Sequence, residues 1–278
     1  MSTTPYPHLQ QRDASPVTMS DLARMKADGE KIACLTAYDA SFAALEDRAG
    51  VDAILVGDSL GMVMQGEDTT VPVSVDDMVY HSRITAAGLQ RPFLIADLPF
   101  LSYATKHEAL HTARRLMQAG KAQMVKFEGG GLQAEIIEHL STRGVPVCAH
   151  IGLQPQLVHK LGGFKVQGRE KDVAEAMIRD AQTLEQAGAD MLLLECVPSS
   201  LGAEITANAD VPVIGIGAGT ATDGQILVIY DILGISPGRK PRFVQDFMQQ
   251  ADSVEAAVAA YVQAVKSGAY PDTQHAFD

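Results

Sequence analysis

A set of reactive side chains shares one sequence context. Asp39, Asp58 with Ser59, Asp97, Lys126 with Glu128, His150 and Glu195 each stand at the polar end of an apolar run. If those ends converge, their carboxylates, among them Asp39, Asp58, Asp97, Glu128 and Glu195, share one cavity, where they repel one another. Buried charges must be paired or must hold a metal, and a divalent cation relieves the repulsion. An all-oxygen donor set suits Mg²⁺ better than zinc, which prefers His and Cys. The chemistry on offer is metal-assisted, with carboxylates free for proton transfer.

Convergence depends on the elements that carry these residues. A unit recurs along the chain: a helix-length amphipathic segment closed by Gly50, Gly88, Gly120, Gly144 or Gly188, then a continuous apolar run. Glycine is expected at these places as a left-handed helix cap. A continuous run fits a strand buried on both faces. With IACLTAYD before these runs and VPVIGIGAG after them, seven strands alternate with helices, which implies a parallel sheet. The 278 residues suit one (β/α)8 barrel of the TIM type, a single α/β domain at 18–278 behind a flexible tail at 1–17. In such barrels the active site lies at the C-terminal ends of the strands.

Strand alternation sharpens the placement. Lys126 and Glu128 share the inner face while Phe127 points to the helices, and Glu195 faces inward while Cys196 faces outward. The eighth strand is the weak element. About six residues separate Gly219 from Ile226, fewer than the dozen or so of an ordinary parallel crossover. Thr222 to Leu233 therefore reads as a helix with Thr222 as N-cap, and the last strand falls within 235–244. Capping pairs open helices at Ser74 with Asp77 and at Thr105 with Glu108, and a closing helix is expected from about Ser253 to Lys266.

Other patterns point away from function. His107-Glu-Ala-Leu-His111 matches a zinc-protease motif, but both histidines lie off the apolar stripe of their helix and face solvent. Gly215-Ile-Gly217-Ala-Gly219 lacks the spacing of a dinucleotide turn and reads as a tight loop at the barrel mouth, so a non-catalytic nucleotide-binding module is a poor alternative. The net charge of −12 argues against a nucleic-acid partner. Cys34, Cys148 and Cys196 lie in apolar runs and read as reduced core thiols. With no run near ~20 apolar residues and no signal-peptide pattern in the first 17 residues, a cytoplasmic protein without a membrane partner is expected.

The strings VGDSLGMVMQG, DDMVYH, ADLPF, MVKFEGG, VPVCAHIGL, GGFKVQGR, LLLECV and PVIGIGAG closely resemble the ketopantoate hydroxymethyltransferase family, and the likeness runs from about residue 18 to 275. The resemblance implies a barrel enzyme of pantothenate biosynthesis that moves a one-carbon unit from 5,10-methylenetetrahydrofolate to 3-methyl-2-oxobutanoate, giving 2-dehydropantoate and tetrahydrofolate. Matched residue by residue, it implies a Mg²⁺ site at Asp58, Asp97 and Glu128. Ser59 and Lys126 match the positions that hold the 2-oxo acid, with Asp58 and Asp97 binding it through the metal, and Glu195 matches the proton acceptor. It also implies a large ring-like homo-oligomer such as a decamer. Two departures stand out: an extra residue in the Gly120–Gln123 loop, and Tyr230 where relatives often have His. A Mg²⁺-dependent lyase of 2-oxo acids, breaking C–C or C–P bonds on a similar barrel, is the competing reading of the same acid cluster.

Overall fold

In a computed structural model, which describes residues 15–236, 238 and 240–278, eight parallel strands close into one barrel in sequence order. The chain runs α1 (Met19–Asp28), β1 (Ile32–Thr36), α2 (Ala40–Ala49), β2 (Ala53–Val56), α3 (Leu60–Val63), α4 (Val75–Ala86) and β3 (Phe93–Asp97). It continues through α5 (Lys106–Gln118), β4 (Met124–Glu128), α6 (Ala134–Ser141), β5 (Val147–Gly152), α7 (Val158–Leu161), α8 (Lys171–Gln186) and β6 (Met191–Glu195). The circuit ends with α9 (Ser199–Asn208), β7 (Val213–Ile216), β8 (Gly224–Leu227), α10 (Ile229–Ile232) and α11 (Val254–Lys266).

Alternation along the strands divides two cores. Cys34, Leu55, Ile95, Met124, Cys148, Met191 and Leu193 fill the barrel interior, while Leu35, Ile54, Ala96, Val125, Phe127 and Leu192 pack against the helices. The inward positions next in line on β3 to β6 are Asp97, Lys126, Glu128, His150 and Glu195, so one pleat builds both the apolar plug and the polar mouth above it. Asp58 is not set by alternation. It enters from the turn after β2, where Leu60 donates to the Gly57 carbonyl and Gly61 to that of Asp58.

Helix α1 closes the opposite end. Leu22 and Met25 join the interior core, and Thr18 and Asp21 form a reciprocal capping box at the helix start. Of the expected N-terminal tail, residues 1–14 lie outside the described residues; Val17 packs on the same floor. The capping pairs Ser74–Asp77 and Thr105–Glu108 and the helix after Ser253 appear as expected. Among the described residues no helix is long and apolar enough to cross a membrane.

Two sequence expectations are corrected. Residues 222–233 are not one helix, and β8 does not lie within 235–244: it is Gly224–Leu227, paired in parallel with β7 and β1. The dozen-residue rule presumes a helical crossover. Here the strands are four residues long, about 13 Å, and residues 217–223 return directly, turning at Gly217 and Gly219, both left-handed. Thr222 is no helix cap: its hydroxyl donates to the Gly224 carbonyl at 2.9 Å. The second correction concerns the repeated glycines. Gly50, Gly144 and Gly188 have positive φ as expected, whereas Gly88 and Gly120 do not. They are demanded by close approach instead, since a Cβ on Gly88 would lie 2.2 Å from the Ala40 carbonyl oxygen.

Candidate active site

Register between neighbouring strands decides which polar residues meet. Asp97 on β3 is level with Lys126 on β4, and Glu128 is level with His150 on β5. The Lys126 Nζ stands 2.5 Å from Asp97 Oδ1, and Asp97 Oδ2 accepts the Asp58 backbone N–H at 3.1 Å. Lys126 also donates to His150 Nδ1 at 3.3 Å, and Glu128 Oε1 lies 3.8 Å from the same nitrogen. An ammonium can only donate, so Nδ1 is the bare nitrogen and the imidazole proton sits on Nε2. That nitrogen faces Glu195 Oε2 at 3.3 Å. Ser59 Oγ is 2.9 Å from the Tyr38 hydroxyl, and Tyr38 packs against the ring of Tyr230.

All of the sequence-predicted residues except Asp39 come together. Asp39 caps α2, its carboxylate accepting the backbone N–H groups of Ser41 and Phe42. Asp58, Asp97, Lys126, Glu128 and His150 are at most 4% exposed, whereas the Glu195 side chain keeps 15%. Glu195 is thus the acid of the cluster most open to an incoming molecule. Below Lys126 the floor is apolar, with a void of about 10 Å³ lined by Cys34, Ile95, Cys148 and Leu193 among others.

The cluster is short of positive charge. Burial, then Lys126, hold His150 well below the usual imidazole range, so it is neutral and four carboxylates face a single ammonium. Burial and Asp97 push Asp58 up, and burial and Asp58 push Glu128 well up. Burial also raises Glu195 to about 7, against the pull of Lys126. Burial works against the charge of Lys126, but Asp97, Glu128 and Asp58 outweigh it and hold the amine above its ordinary range. Desolvated acids with raised pKa and too few cations are the electrostatic signature of a site that gains from a divalent ion.

The donor chemistry fits such an ion, although the side chains are not yet arranged round one. Among the described residues no three His, Cys, Asp or Glu groups converge on a common ligand point. Asp97 is turned onto Lys126, and one oxygen each of Asp58 and Glu128 is engaged by Gln156, which sequence reasoning missed. Gln156 lies in a turn after β5, where neither periodicity nor strand ends mark it. Tyr103, which donates to the Gln156 carbonyl oxygen at 2.6 Å, is equally silent in the sequence.

Comparison with known proteins agrees with the fold and identifies the family. The family model of ketopantoate hydroxymethyltransferase matches residues 16–273. The chain is similar to 3-methyl-2-oxobutanoate hydroxymethyltransferase of Alkalilimnicola ehrlichii, 62% identical over 94% of this chain and 95% of the relative. A second enzyme of that name from Hahella chejuensis is 55% identical over 94% of this chain and 99% of its own length. Among solved structures, a phosphonopyruvate hydrolase in complex with oxalate and Mg²⁺ superposes with a TM-score of 0.58, covering 76% of this chain and 80% of that one; at 16% identity it speaks for the fold alone. With the family model spanning nearly the whole barrel and relatives above half identity, the chain belongs to the ketopantoate hydroxymethyltransferase family.

Proposed function

We propose that the enzyme transfers the one-carbon unit of 5,10-methylenetetrahydrofolate to 3-methyl-2-oxobutanoate, forming 2-dehydropantoate and tetrahydrofolate, with Mg²⁺ held by Asp58, Asp97 and Glu128. The observation that carries this reading is Glu195, the most open acid of a buried, cation-deficient cluster, with His150 Nε2 3.3 Å away. The C3–H of a 2-oxo acid is a poor acid in water, so its removal needs a placed base and a stabilised enolate. Bound to the three acids, Mg²⁺ would act as a Lewis acid toward charge developing on the 2-oxo oxygen, worth several kcal/mol.

The remaining work falls to the chain's own groups. Glu195 takes the C3 proton, and its pKa near 7 suits a base at neutral pH. The neutral His150 stands with Nε2 3.3 Å from that carboxylate, close enough to steady it once a substrate settles the geometry. Lys126 supplies a fixed charge for the substrate carboxylate, and the Ser59 hydroxyl, held by Tyr38, offers a further hydrogen bond. The C3 carbon then bonds to the folate methylene carbon as one of that carbon's C–N bonds breaks. Water replaces the second C–N bond, its oxygen becoming the product hydroxyl, while the two freed nitrogens of tetrahydrofolate take up the C3 proton and one proton of the water.

The test is 2-dehydropantoate formation with each component withheld in turn. Product should require both folate and divalent cation, disappear after chelation and desalting, and return with Mg²⁺. Undiminished turnover after exhaustive metal removal would sink the cation assignment. Cleavage of a 2-oxo acid substrate without folate would favour the lyase reading of the same acid cluster.

A further inference from the structure

Gln156 puts a neutral side chain in the middle of a charged site. It is 3% exposed and sits directly after Pro155, in the short 3₁₀ turn that precedes α7. Its Nε2 donates to Asp58 Oδ2 at 2.8 Å and to the Leu98 carbonyl at 3.0 Å, while its backbone N–H donates to Glu128 Oε2 at 3.0 Å. Its Oε1 accepts from the Tyr103 hydroxyl at 2.6 Å. These partners fix which way the amide points. Turned over, it would set an oxygen against a carboxylate and a carbonyl, and an NH₂ against a hydroxyl proton.

Asp58, in the turn after β2, and Glu128, at the end of β4, reach Gln156 from different elements, two buried acids on one residue. Left alone, two such carboxylates swing apart or take up protons. A Lys or Arg between them would hold them together by neutralising them, and would then compete with any cation. A neutral residue with two donors holds them side by side and leaves their charge in place. We propose that Gln156 is the positioning residue of the cation site. It ties one oxygen of Asp58 and one of Glu128, so that the second oxygen of each is presented to the same ion, and Tyr103 locks its amide. The inference rests on reading these acids as the cation site.

Mn²⁺ alone is the probe, titrated into metal-free protein with free ion followed by electron paramagnetic resonance. Gln156→Leu removes the Nε2 donor to Asp58 and to the Leu98 carbonyl at similar volume, and keeps the backbone N–H to Glu128. Groups that orient metal ligands typically contribute about 10–100-fold in affinity, so Mn²⁺ should bind weaker by that factor. The apparent Mn²⁺ requirement of turnover should rise in step, with kcat at saturating metal falling much less. A role confined to folding predicts the reverse, a lower melting temperature of the metal-free protein with unchanged affinity in the folded fraction. Equal Mn²⁺ affinity for wild type and Gln156→Leu overturns the inference while leaving the cation site standing. No binding to wild type overturns the cation reading, and this inference with it. Should Gln156→Leu not fold, Tyr103→Phe carries the test, because it deletes one hydroxyl and keeps the ring against Phe127. It should weaken Mn²⁺ several-fold, and unchanged affinity there overturns the inference equally.

Discussion

Asp52 at the floor of the barrel and Asp58 at its mouth flank the same strand, are 1% and 4% exposed, and keep opposite electrical company. Asp52 meets Arg91 at 2.7 Å and Lys266 at 2.6 Å, and accepts the Ala33 N–H at 3.0 Å. Nearby, Lys26 pairs with Asp223 at 2.7 Å, and Lys31 donates to the carbonyls of Thr220 and Thr222. Asp58 has Asp97 for a neighbour and shares a single lysine with three other acids. Two buried polar atoms in its cluster, Asp97 Oδ1 and His150 Nε2, lack a well-formed hydrogen bond, although Lys126 and Glu195 stand close. The floor is finished as a structure. In the proposed function the mouth is completed by what it binds, and on that reading the difference separates residues that serve stability from residues that serve chemistry.

The largest expected effect of breaking that contrast belongs to Glu195. Glu195→Gln keeps shape and loses basicity, so exchange of the C3 proton of 3-methyl-2-oxobutanoate into deuterated water should fall by about 10²–10⁴-fold. Oxo-acid and Mg²⁺ affinities should stay near wild type. If exchange persists while metal binding collapses, Glu195 is a ligand and His150 is the next candidate base. In wild type the exchange rate should climb with pH through about 7, because the base must be ionised. The stability sign is the opposite. A carboxyl raised from 4.5 to about 7 holds its proton longer folded than unfolded, so its contribution is lost as pH rises across that window. Metal-free Glu195→Gln should therefore melt several degrees above wild type at pH 8 and close to it at pH 4.5.

Lys126 comes next. Its amine is held protonated by Asp97, Glu128 and Asp58, which leaves no free-amine nucleophile for an imine. Borohydride should trap no substrate adduct on it, and a covalent product there would overturn the charge-only role. Lys126→Met should raise the KM for the oxo acid by about 10–100-fold, the worth of a hydrogen bond to a charged group.

What the sequence made legible follows from how each feature is encoded. Continuous apolar runs marked seven strands, and alternation turned Lys126, Glu128 and Glu195 inward before any contact was known. The eighth strand escaped because connection length was judged against helical crossovers, when short strands can be rejoined by a direct return through Gly217 and Gly219. Asp39 and Asp58 look alike as acids after an apolar run; only the helix that begins at once after Asp39 turns it into a cap. Gln156 and Tyr103 were invisible because their importance lies in partners on other elements, and a loop residue carries no period to betray it.

At the floor the expected effect moves from turnover to stability. Asp52→Asn takes from Arg91 and Lys266 their shared anion, although Lys266 keeps Glu30 at 2.9 Å, and depriving partly buried charged donors of an acceptor costs about 1–3 kcal/mol. Denaturant unfolding should show that loss, while turnover per folded molecule at low temperature stays at wild type. A drop in kcat with stability intact would erase the division between floor and mouth.

The smallest effect is expected outside both ends, on the His107-Glu-Ala-Leu-His111 segment of α5. Both histidines are exposed on the outer layer, and the helix buries Ala109, Thr112, Ala113 and Leu116 instead. Glu108, which would be the general base of a zinc protease, is engaged in capping: the Thr105 hydroxyl donates to its carboxylate at 2.9 Å and accepts its backbone N–H at 3.2 Å. The pattern is therefore the by-product of a helix start and a solvated face. A His107→Ala, His111→Ala double variant should keep wild-type turnover, and each surface change should alter unfolding free energy by no more than about 0.5 kcal/mol. Thr105→Ala serves as the contrast, since loss of an N-cap typically costs about 1 kcal/mol. Loss of turnover in the double variant, restored by added Zn²⁺, would put a second centre on the barrel exterior and break the reading of the mouth as the seat of the chemistry.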